Sequence, residues 1–431
     1  MSRFSRRDFL RVVAVAAPAC VLSIPPARAV AKARVVVVGG GFGGATAAKY
    51  LKLMSSTIEV TLVEKQQTYT SCPLSNEVIG GHGRLEDLQT GYDGLVKRGI
   101  HVVFDEAAVV DPAKKTVKLK DGKVLGYDAL VLSPGIDFDY AGVPGYSETL
   151  ANGSLPHAYK AGPQTLVLKK QLESMPDGGK FVITVPPAPF RCPPGPYERA
   201  AQVCSYLKQR GKTKSKVIIL DANDSFSKKA LFEQAWKLQY PGMIEWIPGA
   251  SDGKVEKIDA RTRTAFTNFS QHKADVLNVI PPHHAGVIAR NTGLTNKQGW
   301  CPVDMLTMES TVHKDIWVVG DSCVHGDLPV YPTPKSAHAA ATQAKVAVGA
   351  IIAKLNGQPA PVPHFVNTCY SLTAPDWGFS VVHIFRVDGG KLMYVKEAGG
   401  ISAVEAPAVQ RKLEAEYAVG WLKNMMADAF A

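Results

Sequence analysis

Hydrophobic positions fall into short blocks that alternate between two periods. The run 34–38 is arginine followed by four valines, then glycines, then the helix formers of 45–52. An uninterrupted β-branched run reads as a strand buried on both faces of a parallel sheet. Similar strands are predicted at 59–63, 102–104, 116–119 and 127–132. A helix is predicted over 164–175, a strand over 180–185, a helix over 197–209 and a strand over 216–220. The block 274–280 reads as a strand returning to the first unit. The strand 315–319 ends in Gly320-Asp321, and an alanine-rich helix occupies 336–355. After a proline-rich link at 358–363 come hairpin-like runs at 379–386 and 391–396, then a helix from about Val409. This order defines an α/β chain with parallel sheets. It implies two Rossmann-like dinucleotide-binding domains, the first interrupted by the second, plus a small C-terminal α+β interface domain. The expected boundaries are 30–155 and 274–357 for the first, 156–273 for the second and 358–431 for the last.

The glycines after the first strand give the spacing G-x-G-x-x-G at Gly39, Gly41 and Gly44. In that setting they supply a tight turn, close approach of backbone to a pyrophosphate, and close packing of helix on strand. The helix N-terminus offers free N–H groups to the phosphates. The second strand ends in Glu64, where a carboxylate is expected to hold an adenosine ribose. The second unit lacks this chemistry. Its first strand runs into Pro186-Pro187-Ala188-Pro189-Phe190-Arg191-Cys192-Pro193-Pro194. Proline has no N–H and a fixed φ, so this loop cannot wrap a pyrophosphate with amides. NAD(P) binding is therefore not expected there, and Asp221 alone does not restore it.

Residues 1–29 resemble a removable export segment. Ser5-Arg6-Arg7-Asp8-Phe9-Leu10-Arg11 has the twin-arginine pattern, 12–24 is apolar, and Ala27-Arg28-Ala29 is a cleavage site. A periplasmic location by the twin-arginine route is expected. The apolar run is too short to span a bilayer, and no stable membrane insertion is expected. The segment holds five arginines and one aspartate, so its removal takes the net charge from +11 to +7. The basic residues are scattered, which argues against nucleic acid and suits either an acidic protein partner or simple solubility. Cys20 would leave with the segment. Cys72, Cys192, Cys204, Cys301, Cys323 and Cys369 remain, too sparse for a disulfide scaffold. The histidines show no ligand spacing, and no metal is expected.

V-V-V-V-G-G-G-F-G-G-A-T-A-A-K-Y, T-S-C-P-L-S-N around Cys72, P-P-A-P-F-R-C-P-P-G-P-Y-E-R around Cys192, G-W-C-P-V-D and the late N-T-C-Y-S around Cys369 carry a resemblance across the chain. It resembles the glutathione-reductase-like disulfide reductases and, within them, the flavoprotein subunit of flavocytochrome c sulfide dehydrogenase. That resemblance implies FAD, tethered by a thioether to Cys72, and a redox-active disulfide between Cys192 and Cys369. It implies that Gly320 and Asp321 contact the ribityl chain, and that Lys335 leads into a helix whose N-terminus faces the flavin. It also implies a small inorganic sulfur substrate and a c-type cytochrome subunit as electron acceptor, in a heterodimer. The chain has no C-x-x-C-H and carries no c-haem of its own. Cys192 and Cys369 are both expected in loops. Separate buried thiols remain open for that pair, and a plain buried thiol for Cys72. Glu198 is open as a proton carrier or as a capping or surface carboxylate. The other three cysteines read as core or near-flavin residues. The terminal helix carries an apolar stripe, Leu413, Tyr417 and Trp421 with Leu422, Met425 and Phe430, expected to pack, with Trp421 near the flavin. Two rival functions remain: a sulfide:quinone oxidoreductase-like enzyme, and a non-catalytic flavin redox-sensing or assembly protein.

Overall fold

The computed structural model describes residues 33–325 and 333–431. The expected export segment, 1–29 with Cys20, lies outside the described residues.

Five parallel strands form the first sheet. They are β1 (Ala33–Val38), β2 (Ile58–Val63), β3 (His101–Val103), β4 (Ala129–Leu132) and β9 (Ile316–Val318), in the order β9-β4-β1-β2-β3. The four valines of β1 are buried because both faces of the sheet are covered. Helix α1 (Phe42–Met54) packs on it against α5 (Ala337–Leu355). Small residues permit this approach: a Cβ at Gly43 would come 2.6 Å from Ser133 Oγ and 3.7 Å from Ala340 Cβ.

The second sheet is also parallel. Its order is β7 (Ile244–Ile247), β6 (Lys216–Asp221), β5 (Lys180–Val185) and β8 (Val276–Val279). Helices α2 (Pro163–Ser174), α3 (Gly195–Gln209) and α4 (Lys229–Gln239) belong to this unit. One expectation is corrected here. The strand at 274–280 does not return to the first sheet but pairs Phe181–Thr184 of β5 with Val276–Val279. An apolar strand reads the same beside either sheet, so its pattern could not assign it.

The C-terminal part is a twisted antiparallel sheet of β10 (His364–Ala374), β11 (Trp377–Asp388) and β12 (Lys391–Tyr394), covered by α6 (Ala408–Phe430). Cys369 therefore sits inside a strand, paired in register with Val381, and not in a loop. The expected face of α6 is corrected in part. Leu422, Met425 and Phe430 are buried as expected, together with Arg411, Glu414, Ala415 and Ala418, while Leu413 and Tyr417 are exposed. Small residues face the sheet because Gly378 of β11 comes so close: a Cβ there would lie 2.6 Å from the Ala415 nitrogen.

That close approach gives a stability test. Gly378→Ala is expected to destabilise the protein by about 1–3 kcal/mol through overpacking. Gly420→Ala, in open space on the same helix, should be neutral or stabilising by up to about 1 kcal/mol. Thermal or denaturant melting of the two variants checks both signs.

Candidate active site

The two sheets and the C-terminal sheet enclose one cavity of about 730 Å³. Its size lies in the range of cofactor clefts. Gly39 and Gly41 line it, and Gly39 takes a left-handed φ of 94° with Ser133 O against the place a Cβ would occupy. Gly44 lies behind the cavity wall, where its missing side chain lets the Gly39 carbonyl pack on α1. Glu64 lines the same end. Its carboxylate accepts from the Gly40 amide at 2.6 Å and the Gln66 amide at 2.9 Å. This glycine cradle, opening at a helix N-terminus with an acid at the next strand end, fits the pyrophosphate and ribose of a dinucleotide.

Gly320 and Asp321 follow β9 into the cavity, as do Ser336 and Ala337 at the start of α5. Asp321 accepts from Arg191 Nε at 2.6 Å, an ion pair with both side chains largely buried. Lys335 is buried. Its ammonium donates to the carbonyls of Asp321 at 2.8 Å and Cys323 at 3.1 Å and lies over the Trp300 ring. Burial lowers its pKa to about 8. Lys335 thus holds the Asp321 turn in place.

Cys72, Cys192 and Cys369 all line this cavity, and each is a free thiol in the structure. Cys72 precedes the short helix Ser75–Ile79, and Arg191 Nη1 lies 3.9 Å from its sulfur. Cys192 sits on the proline-rich loop at a left-handed φ of 51°. Three contacts clamp that strained backbone: its amide donates to Lys335 O at 2.9 Å, and its carbonyl accepts from the Gly195 amide at 2.8 Å and the Tyr159 hydroxyl at 3.0 Å. Burial, the neighbouring Cys369 and Glu198 push the Cys192 thiol well above its ordinary pKa.

Glu198 is buried, neither a cap nor a surface group. It accepts from Asn76 Nδ2 and from the Leu372 amide, both at 2.8 Å. Burial raises its pKa against the lowering effect of those bonds. Sequence reasoning missed three cations around this group. Arg191 is one. Arg199 is fully buried and donates to Asn76, Asn278 and the carbonyls of His157 and Ala158. Lys228 reaches Cys369 and Ser371. A lysine or arginine inside an otherwise apolar helix pattern was the available signal for Arg199; Lys228 carried none. Trp421 lines the cavity. Cys204, Cys301 and Cys323 are buried free thiols, and the last two are register partners in a short parallel pair. Asp221 is spent internally: it accepts from Tyr197, Trp246 and Asn223. Among the described residues no His, Cys, Asp or Glu cluster is suited to a metal, and no helix is long and apolar enough to cross a membrane.

The sheets and the glycine cradle define an FAD-dependent oxidoreductase of the pyridine nucleotide-disulphide type, and the profile of that group matches residues 33–167. The chain belongs to the family of flavocytochrome c sulfide dehydrogenase flavoprotein chains. The profile for the central part of that chain matches 165–281, and its flavin-binding profile matches 361–430. The flavoprotein chain of sulfide dehydrogenase from Chlorobaculum thiosulfatiphilum is 60% identical over 45 residues, 10% of this chain and 94% of that sequence. The mitochondrial sulfide:quinone oxidoreductase of Dictyostelium discoideum is 25% identical over 342 residues, 76% of this chain and 72% of that protein. Among solved structures, the sulfide:quinone oxidoreductase of Aquifex aeolicus shares the fold, with a TM-score of 0.71 at 18% identity, covering 92% of this chain and 91% of that one. The protein is a flavoprotein oxidoreductase that oxidises sulfide, and its cofactor is FAD.

The cradle makes a direct prediction. Gly44→Val drives a side chain into the Gly39 carbonyl, so the variant should purify with little or no flavin. The ratio of flavin to protein absorbance, against Gly420→Ala as control, reads this out.

Proposed function

We propose that the chain is a sulfide dehydrogenase in which Cys192 and Cys369 form the redox-active disulfide. Cys72 tethers the FAD, and a c-type cytochrome subunit takes the electrons. The enzyme works in the periplasm after twin-arginine export. The observation that carries this reading is the meeting of Cys192 and Cys369 at one cavity, with Glu198 buried beside them. Hydrosulfide attacks one sulfur of the disulfide, a new S–S bond forms, and the other sulfur leaves as thiolate. Bound FAD supplies a two-electron acceptor that can release electrons singly. Glu198, held by Asn76 and Leu372, takes the proton of the incoming sulfide. A quinone acceptor is the second reading. It is favoured by the exposed apolar residues Val409, Leu413 and Tyr417 on α6 and by the length of the match to sulfide:quinone oxidoreductases.

Anaerobic sulfide should bleach the flavin absorbance of the purified protein. Cys192→Ser and Cys369→Ser should each abolish that bleaching; bleaching in either variant sinks the disulfide. Cytochrome c, not a quinone, should reoxidise the bleached protein rapidly. Flavin should stay with the denatured chain and be lost from denatured Cys72→Ser.

Glu198 adds a pH signature. Its carboxyl is raised by burial, so the basic form accumulates only as pH climbs through that raised value. Sulfide turnover should rise along that limb. Glu198→Gln should remove the limb and lower kcat by about 10²-fold or more.

A further inference from the structure

Lys228 is a buried ammonium that the reaction above does not use. It occupies a left-handed position, φ 64°, at the start of α4 and is 5% exposed. Its Nζ donates to Ser371 Oγ at 2.8 Å, reaches the Cys369 carbonyl at 3.4 Å and lies 3.8 Å from Cys369 Sγ. The Phe379 ring sits 5.7 Å away on the neighbouring strand. These acceptors are neutral while Cys369 is a thiol or half of a disulfide. A buried cation among neutral acceptors is costly, and an anion at Cys369 Sγ removes that cost.

Cys192 has different surroundings. Its backbone is clamped in the proline-rich loop, and the Glu198 carboxylate opposes a negative charge there; Lys228 favours one, but its ammonium is in contact with the Cys369 sulfur. The two sulfurs of the pair are therefore electrostatically unequal. The other titratable groups that feel Lys228 are His383 of β11, kept neutral by burial and by that ammonium, Glu198 of α3, and Cys192.

We propose that Lys228 makes the Cys192–Cys369 disulfide open in one direction, so that the electron pair of the broken bond stays on Cys369 and the sulfur taken from sulfide stays on Cys192. The inference rests on the disulfide reading above and goes beyond it. Hydrosulfide attacks Cys192 Sγ and forms the new S–S bond. The Cys192–Cys369 bond breaks, and Cys369 leaves as a thiolate against the Lys228 ammonium. Glu198 takes the proton from the Cys192 persulfide. The sulfide sulfur is oxidised, and the disulfide is the oxidant.

The test uses the flavin-loaded full chain. In protein reduced by excess dithiol, alkylation by iodoacetamide is followed at each cysteine by peptide mass across pH. In wild type, Cys369 is expected to react at lower pH than Cys192. In Lys228→Met, the Cys369 profile is expected to move up by about one pH unit, roughly a tenfold loss of rate at fixed pH. Lys228→Arg should restore it. In a second arm, oxidised protein receives limiting sulfide and is trapped with iodoacetamide. The added sulfur should be found on Cys192 in wild type and on both cysteines in Lys228→Met. An unmoved Cys369 profile in Lys228→Met, or wild-type sulfur found on Cys369, overturns the inference while leaving the disulfide intact. Sulfide bleaching that survives Cys192→Ser overturns the disulfide itself, and this inference with it.

Discussion

One residue of strand β10, Leu372, is tied twice to helix α3. Its amide donates to Glu198, and its carbonyl accepts from Gln202 Nε2, each at 2.8 Å. The second oxygen of Glu198 accepts from Asn76, four residues after Cys72. Helix α3 itself follows directly on the Cys192 loop. Three segments far apart in sequence, each with a cavity cysteine, are thus fixed to one buried helix. Hydrogen bonds to a charged group contribute about 1.5–3 kcal/mol each, and orphaning them in a buried site costs a similar amount. The geometry of the cysteines and the protonation of Glu198 are therefore one problem. Whatever changes that carboxyl also loosens the strand that carries Cys369.

The parts of the fold with a strong local pattern were legible in the sequence. β1 and its glycines, the strand at 180–185, Gly320-Asp321 and the long α5 all lie where their periodicity places them. What failed were choices between equivalent neighbours. The strand at Val276–Val279 is apolar throughout and fits either parallel sheet, so only pairing with β5 assigns it. On α6 Leu422, Met425 and Phe430 are buried as their pattern suggested, but in the first half of the helix the close backbone of Gly378 selects Ala415 and Ala418 over Leu413 and Tyr417. The strand holding Cys369 was missed because its alternation is broken by polar residues, Asn367, Thr368 and Ser371, that point into the cavity region or bond to neighbouring helices. The cavity cations were hard to read for a related reason. Arg199 is marked only by its place in an apolar helix pattern and Lys228 looks like a surface residue, and the burial of both exists only after several elements close around them.

Those cations change what the cavity can hold. Arg199 makes four hydrogen bonds, all to neutral acceptors, and Lys228 has neutral acceptors as well. Of the three, only Arg191 makes a direct ion pair, to Asp321; Glu198 lies near Lys228 and Arg199 without a hydrogen bond to either. Buried positive charge with so little direct compensation raises the affinity of the site for anions. Hydrosulfide and a thiolate are such anions, while neutral hydrogen sulfide gains nothing. The same field keeps the proton off Glu198 more firmly than burial alone would, since Lys228 and Arg199 both favour its charged form. Burial and cations pull that carboxyl in opposite directions, and burial wins.

The second unit retains a nucleotide-binding sheet while its polar groups are turned inward. Asp221 stands where a ribose-binding acid is found in such sheets, yet Tyr197, Trp246 and Asn223 occupy its oxygens, and Tyr197 belongs to α3. The acid therefore anchors the helix that carries Glu198. In the same way, the loop after β5 gives up amides for prolines and gains a clamped cysteine. A flexible glycine loop could not hold one sulfur at a fixed place opposite a strand, because glycine adopts many backbone conformations. Prolines restrict the loop on both sides of Cys192, so its left-handed turn is the conformation the chain is forced to keep. The change of loop composition removes one kind of site and builds the rigidity that the other requires.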